Sequence, residues 1–254
     1  MKSLKSAIMA AVLLAFLVLS ASAEGDLAKI KASGAFRVAT EGTYSPFTFH
    51  DASGALVGFD VEIAQAIAKR LGVKAQFTEG KWDGLIAGLD ANRYDAVINE
   101  VTITDERKQK YDFSAPYVVT RPVLVVRKDN ASIKKFEDLK GKKVAEDLTT
   151  TYAQVAKSFG ATVVNADLPI EVILSGRVDG VINDRLYFLD FLKQKPDAPL
   201  KIVATYDQPD YQGVIVRKGN PDLVAAIDKA IADIKADGSY LKISQKYFGE
   251  DVSK

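Results

Sequence analysis

The chain holds a single imidazole, His50, and no cysteine. Serine–histidine catalysis needs that ring beside a hydroxyl, and nothing places His50 near a serine nucleophile. It stands beside Asp51 and Ser53-Gly54 and reads as an exposed turn residue. A transition-metal centre favours clustered Cys and His, so no metal site is expected. Gly141-Lys142 is followed by Lys143, and no phosphate-binding P-loop pattern occurs. What remains is recognition by charge and by hydroxyl groups. Arg107, in Asp105-Glu106-Arg107-Lys108, carries a planar guanidinium that makes two charge-assisted hydrogen bonds to one carboxylate. Taken alone, an arginine there reads as one face of a solvated helix. Thr149-Thr150-Thr151-Tyr152 lies between a strand and a helix, where free N–H groups and the positive helix end suit an anion. Asp184 ends an apolar strand and opens a helix. Its oxygens suit an ammonium or serve as a helix cap.

The elements that must position these residues alternate strand and helix. Phe36-Arg37-Val38-Ala39 reads as a strand. Asp60 is expected to cap a helix whose apolar face is Ile63, Ala64, Ile67, Ala68 and Leu71, with Gly72 closing it. A strand over 75–78, a helix over 83–91 and a strand over 95–99 follow. A second series begins after Tyr117, with strands at 143–145, 161–165, 181–183, 201–205 and 213–217. Its helices fall at 151–159, 170–174, 184–192, 221–236 and 239–248, after a helical turn at 136–139. This is α/β logic, two mainly parallel sheets flanked by helices. The stretches 118–126 and 207–216 are the candidate crossings between the two units.

The first residues read as an address. Lys2 and Lys5 precede an apolar run from Ala7 to Leu19, and Ala21-Ser22-Ala23 follows. This is the pattern of a secretory signal peptide, residues 1–23, cleaved after Ala23. The run is shorter than the ~20 residues a membrane-spanning helix needs. Without these residues the chain keeps 32 basic against 33 acidic side chains. Such near-neutrality leaves no electrostatic footprint for nucleic acid.

Four segments together resemble the periplasmic polar-amino-acid binding proteins, family 3 of the solute-binding proteins of ABC importers. They are Ala39-Thr40-Glu41-Gly42-Thr43-Tyr44-Ser45-Pro46-Phe47, Gly58-Phe59-Asp60-Val61-Glu62-Ile63, Val101-Thr102-Ile103-Thr104-Asp105-Glu106-Arg107 leading to Tyr111-Asp112-Phe113-Ser114-Ala115-Pro116-Tyr117, and Asp179-Gly180-Val181-Ile182-Asn183-Asp184. Lys81-Trp82-Asp83-Gly84 and the stretch to Tyr117 look most like the cystine-binding members. The resemblance implies a type II clamshell of two α/β lobes. Lobe 1 is then 24–117 with 213–254, lobe 2 is 122–207, and the hinge crossings are 118–121 and 208–212. It implies a periplasmic monomer that closes on an amino acid without altering it, needs no cofactor and docks on a membrane permease.

The same resemblance assigns roles. Arg107 matches the carboxylate-binding arginine and Thr102 the hydroxyl beside it. Thr150 and Thr151 match the turn that offers N–H groups to that carboxylate, with Thr149 where many relatives have glycine. Asp184 matches the ammonium-binding aspartate, and Tyr44 and Trp82 the aromatic walls. Phe47, Phe49 and Phe59 read as core. Glu41 matches a position that meets the ligand's side-chain end, and Glu100 stands where small or amide residues are expected. With Asp147 and Glu146, these acids favour a ligand bearing more than one ammonium, such as cystine or a lysine- or arginine-like amino acid. No cation is identified for a second carboxylate. The rival from another class is a periplasmic enzyme of this fold, a cyclohexadienyl dehydratase, which would need a positioned general acid such as Glu41, Glu100 or Asp147.

Overall fold

The computed structural model describes residues 25–254, and the expected signal peptide, residues 1–23, lies outside them. The chain opens with α1 (Asp26–Ser33), β1 (Ala35–Thr40), β2 (Thr43–Tyr44), β3 (Thr48–His50), β4 (Leu56–Val57), α2 (Phe59–Leu71), β5 (Lys74–Glu79), α3 (Trp82–Asp90), β6 (Ala96–Val97), α4 (Asp105–Lys110) and β7 (Tyr111–Phe113). It continues with β8 (Val118–Thr120), β9 (Pro122–Arg127), a 3-10 turn (Phe136–Leu139), β10 (Lys143–Glu146), α5 (Thr151–Ser158), β11 (Thr162–Asn165), α6 (Pro169–Leu174), β12 (Val181–Asp184), α7 (Arg185–Gln194) and β13 (Leu200–Thr205). It ends with β14 (Asp210–Gln212), β15 (Ile215–Arg217), α8 (Pro221–Ala236) and α9 (Ser239–Phe248).

The larger sheets fall into two groups, one per lobe, beside a small β2-β3-β4 sheet. The first has the order β5-β1-β6-β15-β7. β1 runs parallel to β5 and β6, while β15 runs antiparallel to β6 and β7. In the second, β9 lies antiparallel between β12 and β13, and β10 runs parallel to β11. A parallel bridge from Val144 to Gly180 brings β10 beside β12. In each sheet the antiparallel strand is the one next to a crossing, β9 outbound and β15 on return. The crossings pair as a ribbon, β8 against β14, with Thr120 opposite Asp210 and Val118 opposite Gln212.

The helices form as their apolar spacing requires. Ile63, Ala64, Ile67 and Ala68 of α2 are buried, and Gly72 takes the left-handed conformation that ends it. Asp60 corrects the expectation: Gly58 precedes the helix, and Asp60 sits buried inside its first turn. Its carboxylate accepts the Tyr117 hydroxyl and the Glu100 N–H, both at 2.9 Å. These donors come from other elements and draw the side chain away from its own helix end. The expected strand over 95–99 shortens to β6, because the backbone turns into positive φ at Glu100. His50 ends a strand rather than a turn. Phe47 and Phe59 are fully buried, while Phe49 is half-buried.

The lobes touch across the space between them. The Tyr44 ring stacks on Tyr187 with centroids 4.7 Å apart, and its hydroxyl donates to Asn183 Oδ1 at 2.7 Å. Ser45 donates to Asp190, and Thr149 to Asp83. Lys81 pairs with Asp167 at 2.5 Å, but both are exposed. An exposed ion pair contributes about 0–1 kcal/mol. A stacked aromatic pair adds about 0.5–1.5 kcal/mol beyond the area it covers. Tyr44 is therefore the stronger tie. Tyr44→Ala is expected to enlarge the radius of gyration of the ligand-free protein in solution scattering. It should also raise acrylamide quenching of Trp82, the chain's one tryptophan. Unchanged scattering and quenching would show that Tyr44 does not hold the lobes together.

Candidate functional site

A cavity of ≈ 710 Å³ opens between the lobes. One end is built around Arg107. It lies on α4, none of whose residues is buried, so packing of the helix does not fix it. The fixing is local: the Thr104 hydroxyl accepts the Arg107 N–H at 3.1 Å and caps the helix. From there the guanidinium reaches into the cleft. It donates to Thr102 O at 2.8 Å in one lobe and to Thr149 O at 3.3 Å in the other. It lies 5.4 Å from the Trp82 ring centroid. Burial pulls its pKa below the usual arginine value.

The second lobe presents the start of α5 to the same point. Thr150 caps that helix by accepting the Ala153 N–H at 3.1 Å, and its hydroxyl donates to Asp147 O at 2.8 Å. Thr151 opens the helix, and its hydroxyl meets that of Thr102 at 3.3 Å. A fork, two hydroxyls and a positive helix end thus converge, a setting for a carboxylate.

The other end is acidic. Asp184 closes β12 and caps α7, accepting the N–H groups of Leu186 at 2.6 Å and Tyr187 at 3.3 Å through Oδ1. Its Oδ2 is buried without a partner. Burial pushes Asp184 up to about 7, against the opposing pull of its hydrogen bonds. Glu41 accepts Asn99 Nδ2 at 2.7 Å, and burial raises it too. Glu146 is fully buried and accepts the Ile182 N–H at 2.6 Å. Asp147 accepts the Thr149 N–H at 3.2 Å.

Eight of the nine sequence candidates, Glu41, Tyr44, Trp82, Glu100, Thr102, Arg107, Thr150 and Thr151, line this one cavity. Asp184 does not reach its wall and lies buried behind Asn183, which does. Sequence reasoning missed Asn99, Tyr152 and Tyr187, and the cations Lys81 and Lys195 on the wall. Tyr152 and Asn183 adjoin assigned residues, which was the available signal. Lys195 gave none, since it follows the last turn of a surface helix.

Residues 36–250 match the family model of bacterial extracellular solute-binding proteins, family 3. The L-cystine-binding protein TcyA of Bacillus subtilis is 44% identical over 236 residues, 91% of this chain and 88% of that one. An ancestral arginine-binding protein bound to arginine is 46% identical, with TM-score 0.80 over 85% of this chain and 99% of the other. The L-cystine solute receptor of Neisseria gonorrhoeae, unliganded and open, is 42% identical, with TM-score 0.62 over 91% of this chain and 100% of the receptor. At similar identity the bound form matches better, in keeping with the contacts between the lobes. The chain belongs to family 3 of the bacterial extracellular solute-binding proteins.

Proposed function

We propose that this chain is the periplasmic substrate-binding protein of an ABC importer, closing its lobes on a free amino acid. One observation carries the reading. A carboxylate setting at Arg107 and α5 shares one cavity with an acceptor-rich end at Glu100, backed by the unpartnered Asp184 oxygen. Those are the two halves of a zwitterion. Burying either charge unpaired is costly, so a cavity offering both selects molecules that carry both. The lobes take the limits 24–117 with 213–254 and 122–207, hinged at 118–121 and 208–212, and β8 and β14 fall on those hinges. The ligand is received without chemistry and handed by a monomeric carrier to a membrane permease, with no cofactor and no nucleic acid involved.

The cavity volume lies within the range of about 300–1,000 Å³ usual for small-molecule sites. Beyond the zwitterion ends its wall carries Glu41, Asp147, Asp167 and Glu171, with Lys81 and Lys195 among them. The acids suit a second ammonium or a guanidinium. The two lysines supply the cation that a second carboxylate requires. L-Cystine satisfies both sets, and L-arginine satisfies the acids. A rival reading as a dehydratase of the same fold predicts turnover of a cyclohexadienyl acid, and product formation on incubation separates the two.

A thermal-shift screen of the amino acids with L-cystine tests the class. A ligand at a hundred times its dissociation constant should add ~2.7 kcal/mol. Arg107→Ala is expected to lose ~2–5 kcal/mol of binding, because the ligand carboxylate is left buried without its charged partner. Affinity near that of the wild type in calorimetry would refute the assignment. Asp184→Asn should weaken binding while keeping the start of α7 capped, since Asn caps a helix about as well as Asp. A large loss of stability with intact binding would reduce Asp184 to a cap.

A further inference from the structure

Glu100 is the odd residue of the site. It is one of two non-glycine residues with positive φ among the described residues, at 51°. Such a conformation is uncommon for a side chain of this kind. Its N–H is held by Asp60 Oδ2 at 2.9 Å, which keeps the backbone turned. The side chain lines the cavity yet is only 6% exposed. Neither of its carboxylate oxygens has a hydrogen-bond partner. The other orphaned polar atoms among the described residues are Oδ2 of Asp184, Oδ2 of Asp210, the Thr120 hydroxyl, the Gln212 amide and Trp82 Nε1. Most of these atoms accept rather than donate. A buried carboxylate without a donor is the expensive case, so the arrangement calls for a compact group rich in N–H donors.

We propose that Glu100 is a second carboxylate for the ligand's ammonium, acting with Asp184, and that it holds a proton while the site is empty and releases it to solvent when the ammonium arrives. This rests on the amino-acid-binding reading above. It adds which ligand group Glu100 meets and what binding does to its proton.

The surroundings supply the reason. The carboxylates of Asp60 on α2, Asp184 on β12 and Asp210 on β14 all act on Glu100. Tyr117, Tyr44 and Tyr152 border the same group, and each feels its charge. Burial lifts the Asp210 carboxyl to about 6, against the opposing charge of Arg107. Burial first, then the charge of Asp60, pushes Glu100 well above the usual carboxylate range. Burial lifts Asp60 and Asp184 to about 7. Glu100, buried with both carboxylate oxygens unpartnered, is the group whose proton an incoming ammonium displaces. Affinity should rise with pH, because the ligand binds the ionised form. Ligand-free stability should run the other way: it is full below the ordinary carboxylate range and falls as pH rises toward the raised value.

The test uses L-cystine and L-arginine on the full mature chain. One released proton makes affinity rise about tenfold per pH unit. Calorimetry in buffers of different ionisation enthalpy should show that proton directly. Glu100→Gln should flatten the pH dependence and remove most of the buffer-dependent heat. Arg107→Ala should lower affinity while keeping the slope, which a general loss of folding would not do. An unchanged slope and unchanged proton release in Glu100→Gln overturn the proposal. If neither amino acid binds the wild type, the amino-acid reading fails on its own. The melting temperature of the ligand-free protein still judges Glu100, since Glu100→Gln should flatten its fall as pH rises above the ordinary carboxylate range. An identical profile overturns the stored proton.

Discussion

The Arg107 guanidinium donates to Thr102 O in one lobe and to Thr149 O in the other, at 2.8 and 3.3 Å. A planar fork has a fixed geometry, so both bonds hold only at one setting of the lobes. The rest of the architecture serves that setting. The short helix that carries Arg107 has no core contact of its own and leans on its Thr104 cap. It is continuous with β7, which pairs with β15, the strand returning from the second lobe. The position of the fork is thus tied by backbone to the crossing itself. On the proposed function, a ligand carboxylate replaces neutral carbonyl acceptors with a charged one, and the bond to each lobe strengthens accordingly.

Much of this was legible in the sequence, and the reason is local. The i, i+4 spacing of α2, the Gly72 stop and the Asp184 cap depend on residues within a turn or two of one another. So does the placing of the Thr149–Thr151 turn at a helix start, where Thr150 accepts the Ala153 N–H. What escaped depends on distant partners. Asp60 has the chemistry of a cap, yet Tyr117 and Glu100 claim its carboxylate. β6 falls short of its apolar run because Glu100 turns the chain. The contact of Tyr44 with Tyr187 joins residues from different lobes and leaves no mark on spacing. The six residues of α4, Asp105 to Lys110, contain no apolar side chain, so hydrophobic periodicity could not announce it.

The acidic end shows why the hinge and the site are difficult to separate. Thr120 and Asp210 face one another across the ribbon, and Gln212 follows on the same strand and bridges to Thr102. All three carry side-chain atoms without partners in the closed arrangement. The segment that joins the lobes is therefore also the segment whose polar groups closure leaves unsatisfied. Desolvating these groups opposes closure in the empty protein. The direct contacts between lobes, led by Tyr44 on Tyr187, favour it. Two of those contacts, Lys81 with Asp167 and Arg185 with Glu250, are exposed ion pairs that contribute little. An ammonium seated among Glu100, Asp184 and the ribbon acceptors removes the penalty without adding any contact between the lobes. On the proposed function, closure then draws on relief of an unfavourable burial as well as on the charged bonds at Arg107. On the proposed function, a neutral molecule of the same shape would fill the volume and leave the penalty in place, so charge, more than fit, would select the ligands that hold the lobes shut.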